Sequence, residues 1–196
     1  MPRPDMSSRR RQEFTPILAR VFADRGYRRT TTAELAAACG VRENILYRLW
    51  PDKQSMFVEA LDYVYRLSET TWHDVLEKTK SGDQSPARVI LEYEATHHGE
   101  FGFYRIIFAG LSETDDPRIM EALKRLYARF QSLLKGHLEA HQAQGRHPDS
   151  VDSGLGAWAI IGIGTVANIG RELDLISAEE RKRLLLSMGE FLMDSH

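Results

Sequence analysis

Apolar residues recur at helical spacing almost from end to end of this 196-residue chain, and no stretch alternates apolar and polar side chains as a half-buried strand would. That period restricts the chain to an all-α fold. Phe14, Ile17, Leu18, Val21 and Phe22 form a first stripe that stops at Gly26, a residue suited to the left-handed conformation at a helix end. Thr31 and Glu34 have the spacing of a capping box, which predicts a second helix from about Thr32 to Gly40. A third fits Glu43–Leu49, because Pro51 disfavours helix in the residue before it. From Lys53 a long helix should carry Phe57, Ala60, Leu61, Val64, Ser68 and Val75 on one face and end near the linker-like Ser81-Gly82-Asp83.

Further along, Ser85-Pro86 places proline in the first turn of another helix. Gly99 and Gly102 interrupt the pattern around an aromatic cluster, and Asp116-Pro117 opens a helix carrying Ile119, Leu123, Leu126, Phe130, Leu133 and Leu134. Gly145 to Pro148 reads as a turn. Ser177 and Glu180 make a second capping box before a last helix with Leu184, Met188, Phe191 and Leu192. The expectation is about nine helices, with a three-helix domain over residues 1–55 and a helical bundle over 56–196.

Charge is distributed unevenly. Residues 1–56 hold 11 Lys/Arg against 6 Asp/Glu, a local balance of +5, whereas the remainder holds 15 against 22, or −7. A basic first quarter on an acidic body implies that one end meets a polyanion. The single cysteine, Cys39, excludes a disulfide framework and sits among small helical residues, where it reads as core packing. No apolar run follows the basic Ser7–Arg11 stretch, and the apolar run from Leu155 to Ile169 is short of the roughly 20 residues that span a bilayer. A cytoplasmic location with no membrane partner is expected.

Three short helices with a tight turn between the second and third are the arrangement that places one helix in the major groove of DNA. Ala36, Ala37 and Ala38 permit close crossing, Gly40 permits the turn, and Leu35 and Val41 fill a core. In the next helix Leu46 and Leu49 face inward, leaving Arg42, Glu43, Asn44, Tyr47 and Arg48 outward. Phosphate contacts are expected from Thr31 or Thr32 at a helix N-terminus, from the Tyr47 hydroxyl and from Lys53. Base reading falls to Arg42, Glu43, Asn44 and Arg48, since Arg matches guanine, Asn adenine and Glu cytosine. Arg9, Arg10 and Arg11 would add contacts as a flexible arm.

The stretch TTTAELAAACGVRENILYRLWPDKQSMFVEAL at 30–61, preceded by ILARVFADRGYRRT at 17–30, resembles the TetR (tetracycline-repressor-like) family of bacterial transcriptional regulators. The match runs through Phe22, Gly26, Thr31, Leu35, Ala36, Gly40, Val41, Leu46, Tyr47, Pro51 and Lys53. Departures fall at Cys39, Arg42, Ile45 and Leu49-Trp50, the last standing where Tyr-Phe is common. The resemblance implies a repressor that grips a palindromic operator as a homodimer through a four-helix interface. It also implies a small organic effector bound in the C-terminal body.

The dimer interface is expected on the apolar, small-residue-rich stretch Gly154–Ala167 together with Leu184, Met188, Phe191 and Leu192. Aromatic walls with few polar groups suit an organic ligand. Trp72, Tyr93, His97, Phe101, Phe103, Tyr104, Phe108 and Trp158, with Asn168 as the polar contact, form the candidate lining, although aromatic residues on helices are more often plain core.

No cofactor or metal is expected. Gly162-Ile163-Gly164-Thr165-Val166-Ala167 spells a dinucleotide fingerprint but has no strand before it. His97 and His98 are adjacent and point apart, while His137 and His141, four residues apart, read as surface groups. The competing possibilities are an all-helical enzyme or carrier using the aromatic cluster, for which no nucleophile–base pair is visible, and a regulator without a ligand.

Overall fold

The computed structural model describes residues 6–79, 85–143 and 152–194, and among these every regular element is an α-helix. They run α1 (Met6–Arg25), α2 (Thr32–Ala38), α3 (Glu43–Leu49), α4 (Lys53–Lys78), α5 (Pro86–His97), α6 (Tyr104–Leu111), α7 (Pro117–Ala143), α8 (Ser153–Glu172) and α9 (Ala178–Asp194). The linker expected at Ser81–Asp83 and the turn expected at Gly145 to Pro148 lie outside the described residues. Arg9, Arg10 and Arg11 belong to α1, which begins at Met6, and so are helical rather than a flexible arm.

The helix boundaries follow local chemistry. Thr31 caps α2 with a complete capping box: its hydroxyl accepts from the Glu34 amide at 3.3 Å and its own amide donates to the Glu34 carboxylate at 2.9 Å. Ser85 caps α5 ahead of Pro86. Asp116 accepts from the amides of Arg118 (2.9 Å) and Ile119 (3.2 Å) to start α7. At the end of α8 the left-handed position is taken by Asp174 (φ 52°), while the Leu175 amide reaches back to Gly170 O at 2.9 Å.

Two compact units are present. The first lies within residues 1–67 and 101–126. Its core joins Leu18, Leu35, Leu46, Met56, Leu61, Ile106 and Ile119, all sealed from solvent. Phe57 stands edge-on to Phe22 at 5.0 Å and tilted against Tyr27 at 4.9 Å. α6 is packed on α1, where Arg20 donates to Phe101 O at 2.7 Å and covers the Phe103 ring at 4.6 Å.

The second unit lies within 68–100 and 127–196. Trp72, Ile90, Leu134, Leu138, Ala157 and Met193 form one cluster in it, and Ala95, Ala167 and Leu185 another. α9 packs on both α5 and α8. Glycine allows the close approach at Gly164, where a Cβ would come within 3.0 Å of the His98 ring. The α7 histidines are not surface groups. His141 is buried and its Nδ1 lies 2.6 Å from Ser85 Oγ, and His137 is partly buried, with its pKa lowered by burial. They occupy positions 137 and 141, which continue the stripe of Phe130, Leu133, Leu134 and Leu138 and therefore turn inward. Among the described residues no group of three or more metal-ligating side chains is assembled.

Candidate DNA-binding site

α2 ends in the hydrogen-bond pattern that turns the chain toward α3. Gly40 takes φ 67°, the Val41 amide donates to Ala36 O at 3.0 Å and the Gly40 amide to Ala37 O at 3.0 Å. This is the paired closure of a Schellman motif, and a side chain at position 40 would be strained there. Leu35 and Ala36 of α2 and Leu46 and Leu49 of α3 are buried, which holds the two helices together and leaves one face of α3 outward.

On that face Arg42, Glu43, Asn44, Tyr47 and Arg48 are exposed, as their spacing predicts. Arg42, Asn44 and Arg48 have no side-chain hydrogen bond to any described residue and present their donors and acceptors outward. Glu43 is occupied differently: its carboxylate accepts from the Thr32 hydroxyl, and Thr32 in turn accepts from the Tyr47 hydroxyl at 3.2 Å. Thr32, Glu43 and Tyr47 thus tie the first turn of α2 to the outer face of α3. Spacing alone does not reveal this chain of three, because it depends on the angle between the helices.

Lys53 sits at the first residue of α4. Its ammonium donates to Tyr27 O at 3.1 Å and Thr30 O at 3.0 Å and lies 4.3 Å from the centre of the Tyr27 ring. It therefore closes the α1–α2 loop, with one N–H left for anything outside. Burial, and secondarily the nearby Asp116, Asp52 and Glu113, raise the Tyr27 phenol above its ordinary pKa. The Thr31 amide and hydroxyl hold the Glu34 carboxyl below its usual range, and Arg25 pairs with it at 2.5 Å. Burial, with a smaller contribution from Glu13, pushes the half-buried Cys39 thiol up to about 11.

Four groups that the sequence did not signal fasten this head. Arg28 spans both oxygens of Glu113 at 2.9 Å, and Arg118 reaches Asp52 at 3.0 Å and Ser55 at 2.6 Å. Gln54 donates to Asp116. The Trp50 indole donates to Glu59 at 2.6 Å. Only the presence of an indole where a phenyl is common was visible beforehand, since it demands a buried acceptor.

The candidate ligand residues divide between the two units. Phe101, Phe103, Tyr104 and Phe108 belong to the first, where Tyr104 is buried, its ring 5.7 Å from that of Phe108, and Phe101 is exposed. Trp72, Tyr93, His97, Trp158 and Asn168 belong to the second. Trp72 donates to Glu94 at 2.6 Å within the core, Tyr93 stacks on His97 at 4.3 Å, and Trp158 is exposed beside Tyr127. Asn168 is buried with its amide nitrogen 3.1 Å from His98 Nε2, while its Oδ1 and the Nε of Arg171 have no partner among the described residues.

A short helix turned by glycine onto an exposed polar helix, on a basic segment, defines a helix-turn-helix DNA-binding head. Residues 18–60 match the family described as bacterial regulatory proteins, tetR family. Over 134 residues the chain is 28% identical to the nucleoid occlusion factor SlmA of Pectobacterium carotovorum, covering 68% of each. Its fold is similar to that of a TetR-family transcriptional regulator from Cytophaga hutchinsonii (TM-score 0.80, 15% identity, 99% of each chain). It is also similar to that of AibR, solved in complex with isovaleryl coenzyme A and operator DNA (TM-score 0.66, 17% identity, 94% of this chain and 98% of that one). Residues 18–60 thus match the helix-turn-helix region of that family, and the all-α fold of the chain is similar to that of solved TetR-family regulators.

Proposed function

We propose that this protein is a sequence-specific DNA-binding transcriptional regulator, a repressor acting as a homodimer on a palindromic operator in the cytoplasm and released by a small organic effector. The observation that carries the reading is the exposed face of α3, where Arg42, Asn44 and Arg48 project beside the Thr32–Glu43–Tyr47 chain. In this reading Arg42, Asn44 and Arg48 read base edges, and Thr31, Thr32 and Tyr47 contact phosphate. Lys53 supports them mainly by closing the α1–α2 loop, and Glu43 by orienting Thr32. No catalytic group is assigned.

The homodimer is supported by an uncovered apolar stripe along α8. Leu155, Trp158, Val166, Ile169 and Leu173 are exposed, with relative accessibilities that reach 70% at Leu155, and Met188 and Phe191 of α9 are exposed as well. Such a stripe on a monomer marks a protein contact. α8 is long and apolar enough by length and composition to cross a membrane, but one side of it is packed on α9. A second copy of the chain would bury the other side in a four-helix interface, and Trp158 belongs to that stripe rather than to an effector lining. The effector is supported by the orphaned Asn168 Oδ1 and Arg171 Nε in the second unit, and by the coenzyme A thioester bound to AibR. Release requires only that the effector bind the DNA-incompetent state more tightly.

Fluorescence anisotropy on a labelled duplex pool tests the reading. Affinity should fall with added salt at a slope of about −0.9 for each phosphate neutralised. Binding that is absent, or independent of salt, would refute it.

A further inference from the structure

We propose that Glu59 and Trp50, with Arg11, set the orientation of the reading helix and are positioning residues for sequence discrimination; this rests on the DNA-reading role of α3. α3 has seven residues, too few to persist alone, so its axis is set by whatever holds its ends. Its C-terminal end is held from two other helices. Trp50, the cap residue, donates its amide to Leu46 O at 2.8 Å and is only 2% exposed. A buried indole N–H must find an acceptor, and it finds Glu59 Oε2 of α4 at 2.6 Å. The other oxygen of that carboxylate lies 3.2 Å from the Thr15 hydroxyl of α1, whose single proton also has Arg11 O within reach at 2.7 Å. The carboxylate therefore ties α4 to the end of α3 where both meet α1.

Arg11 of α1 completes the fastening. Its guanidinium donates to Leu49 O, one of the last carbonyls of α3, which have no intrahelical partner, and lies 5.7 Å from the centre of the Trp50 ring. Its charge also sits at the negative end of the helix. A phenyl ring at position 50 would fill space without a directional tie. The lever is long: Arg42 lies about 12 Å along the axis from Trp50, so a tilt of roughly 10° moves it about 2 Å, beyond the tolerance of a base contact.

The test uses the full chain with duplexes that the wild type selects from a random library, beside unselected duplexes. Glu59→Gln keeps an acceptor for the indole and should hold the ratio of selected to unselected affinity within about threefold. Glu59→Leu should lower that ratio by at least about tenfold with an unchanged salt slope, and accelerate hydrogen exchange at residues 43–50 but not along α4. Trp50→Phe should reproduce the effect, and adding Glu59→Leu to it should lower the ratio little further, a control that holds if Glu59→Leu alone folds poorly. An equal loss on both DNA classes, or unchanged ratio and exchange in Glu59→Leu and Trp50→Phe, would overturn the proposal. If the wild type selects no sequence, the DNA-reading role itself fails, and faster exchange at 43–50 still reports on the fastening alone.

Discussion

Replacing Val166 by aspartate places a carboxylate in the middle of the exposed α8 stripe. Val166 is 56% exposed, so within one subunit the change is a surface substitution and should alter stability by no more than about 0.5 kcal/mol. In a two-fold dimer the same position occurs twice. Fully burying a valine side chain contributes about 1.5–3 kcal/mol, and a dimer would cover only the roughly half of Val166 still exposed, so losing two removes about 1.5–3 kcal/mol before any cost of desolvating the charges. At about 1.4 kcal/mol per tenfold, the dimer should weaken by at least about one to two orders of magnitude. Sedimentation equilibrium over a range of concentrations reads this directly, with circular dichroism to confirm that the helices persist. A variant that dimerises within threefold of the parent would refute the assignment of this stripe to the interface.

Several other perturbations have defined outcomes. Lys53→Met leaves Tyr27 O and Thr30 O without their donor and should cost about 1–3 kcal/mol in denaturant unfolding without DNA, whereas a purely phosphate-binding lysine would leave that measurement unchanged. Thr31→Ala removes the cap of α2 and should cost about 1 kcal/mol, with faster hydrogen exchange in the first turn of α2. The carboxyls of Glu34, Asp52 and Glu180 are held low, chiefly by hydrogen bonds from Thr31, Ser55 and Ser177. Their stabilisation is full above their ordinary pKa values and is lost as pH falls through the lowered ones, so the melting temperature should drop on acidification below about pH 4. Glu34→Gln should flatten part of that drop.

Much of the head was legible in the sequence because its signals are local. The Thr31–Glu34 box, the glycine at position 40 and the period of Leu46 and Leu49 each depend on neighbours a few residues away, as does the Ser177–Glu180 box of the second unit. Glu59, Glu113 and Arg118 were not legible, since each acts on a residue far off in the chain and a charged side chain on a helix ordinarily faces water. The same blindness reversed His137 and His141, whose polar type outweighed their place in the α7 stripe. The aromatic list for a ligand divides between two units because composition marks apolar surface without saying which surfaces share a core.

Selection of bound duplexes from a random library at physiological salt tests the central claim most directly. The account predicts a palindrome whose half-sites lie about one helical turn apart, with base preferences that change in Asn44→Ala and persist, at uniformly weaker affinity, in Tyr47→Phe. Enrichment of no sequence, or an enriched sequence indifferent to Arg42, Asn44 and Arg48, would contradict it.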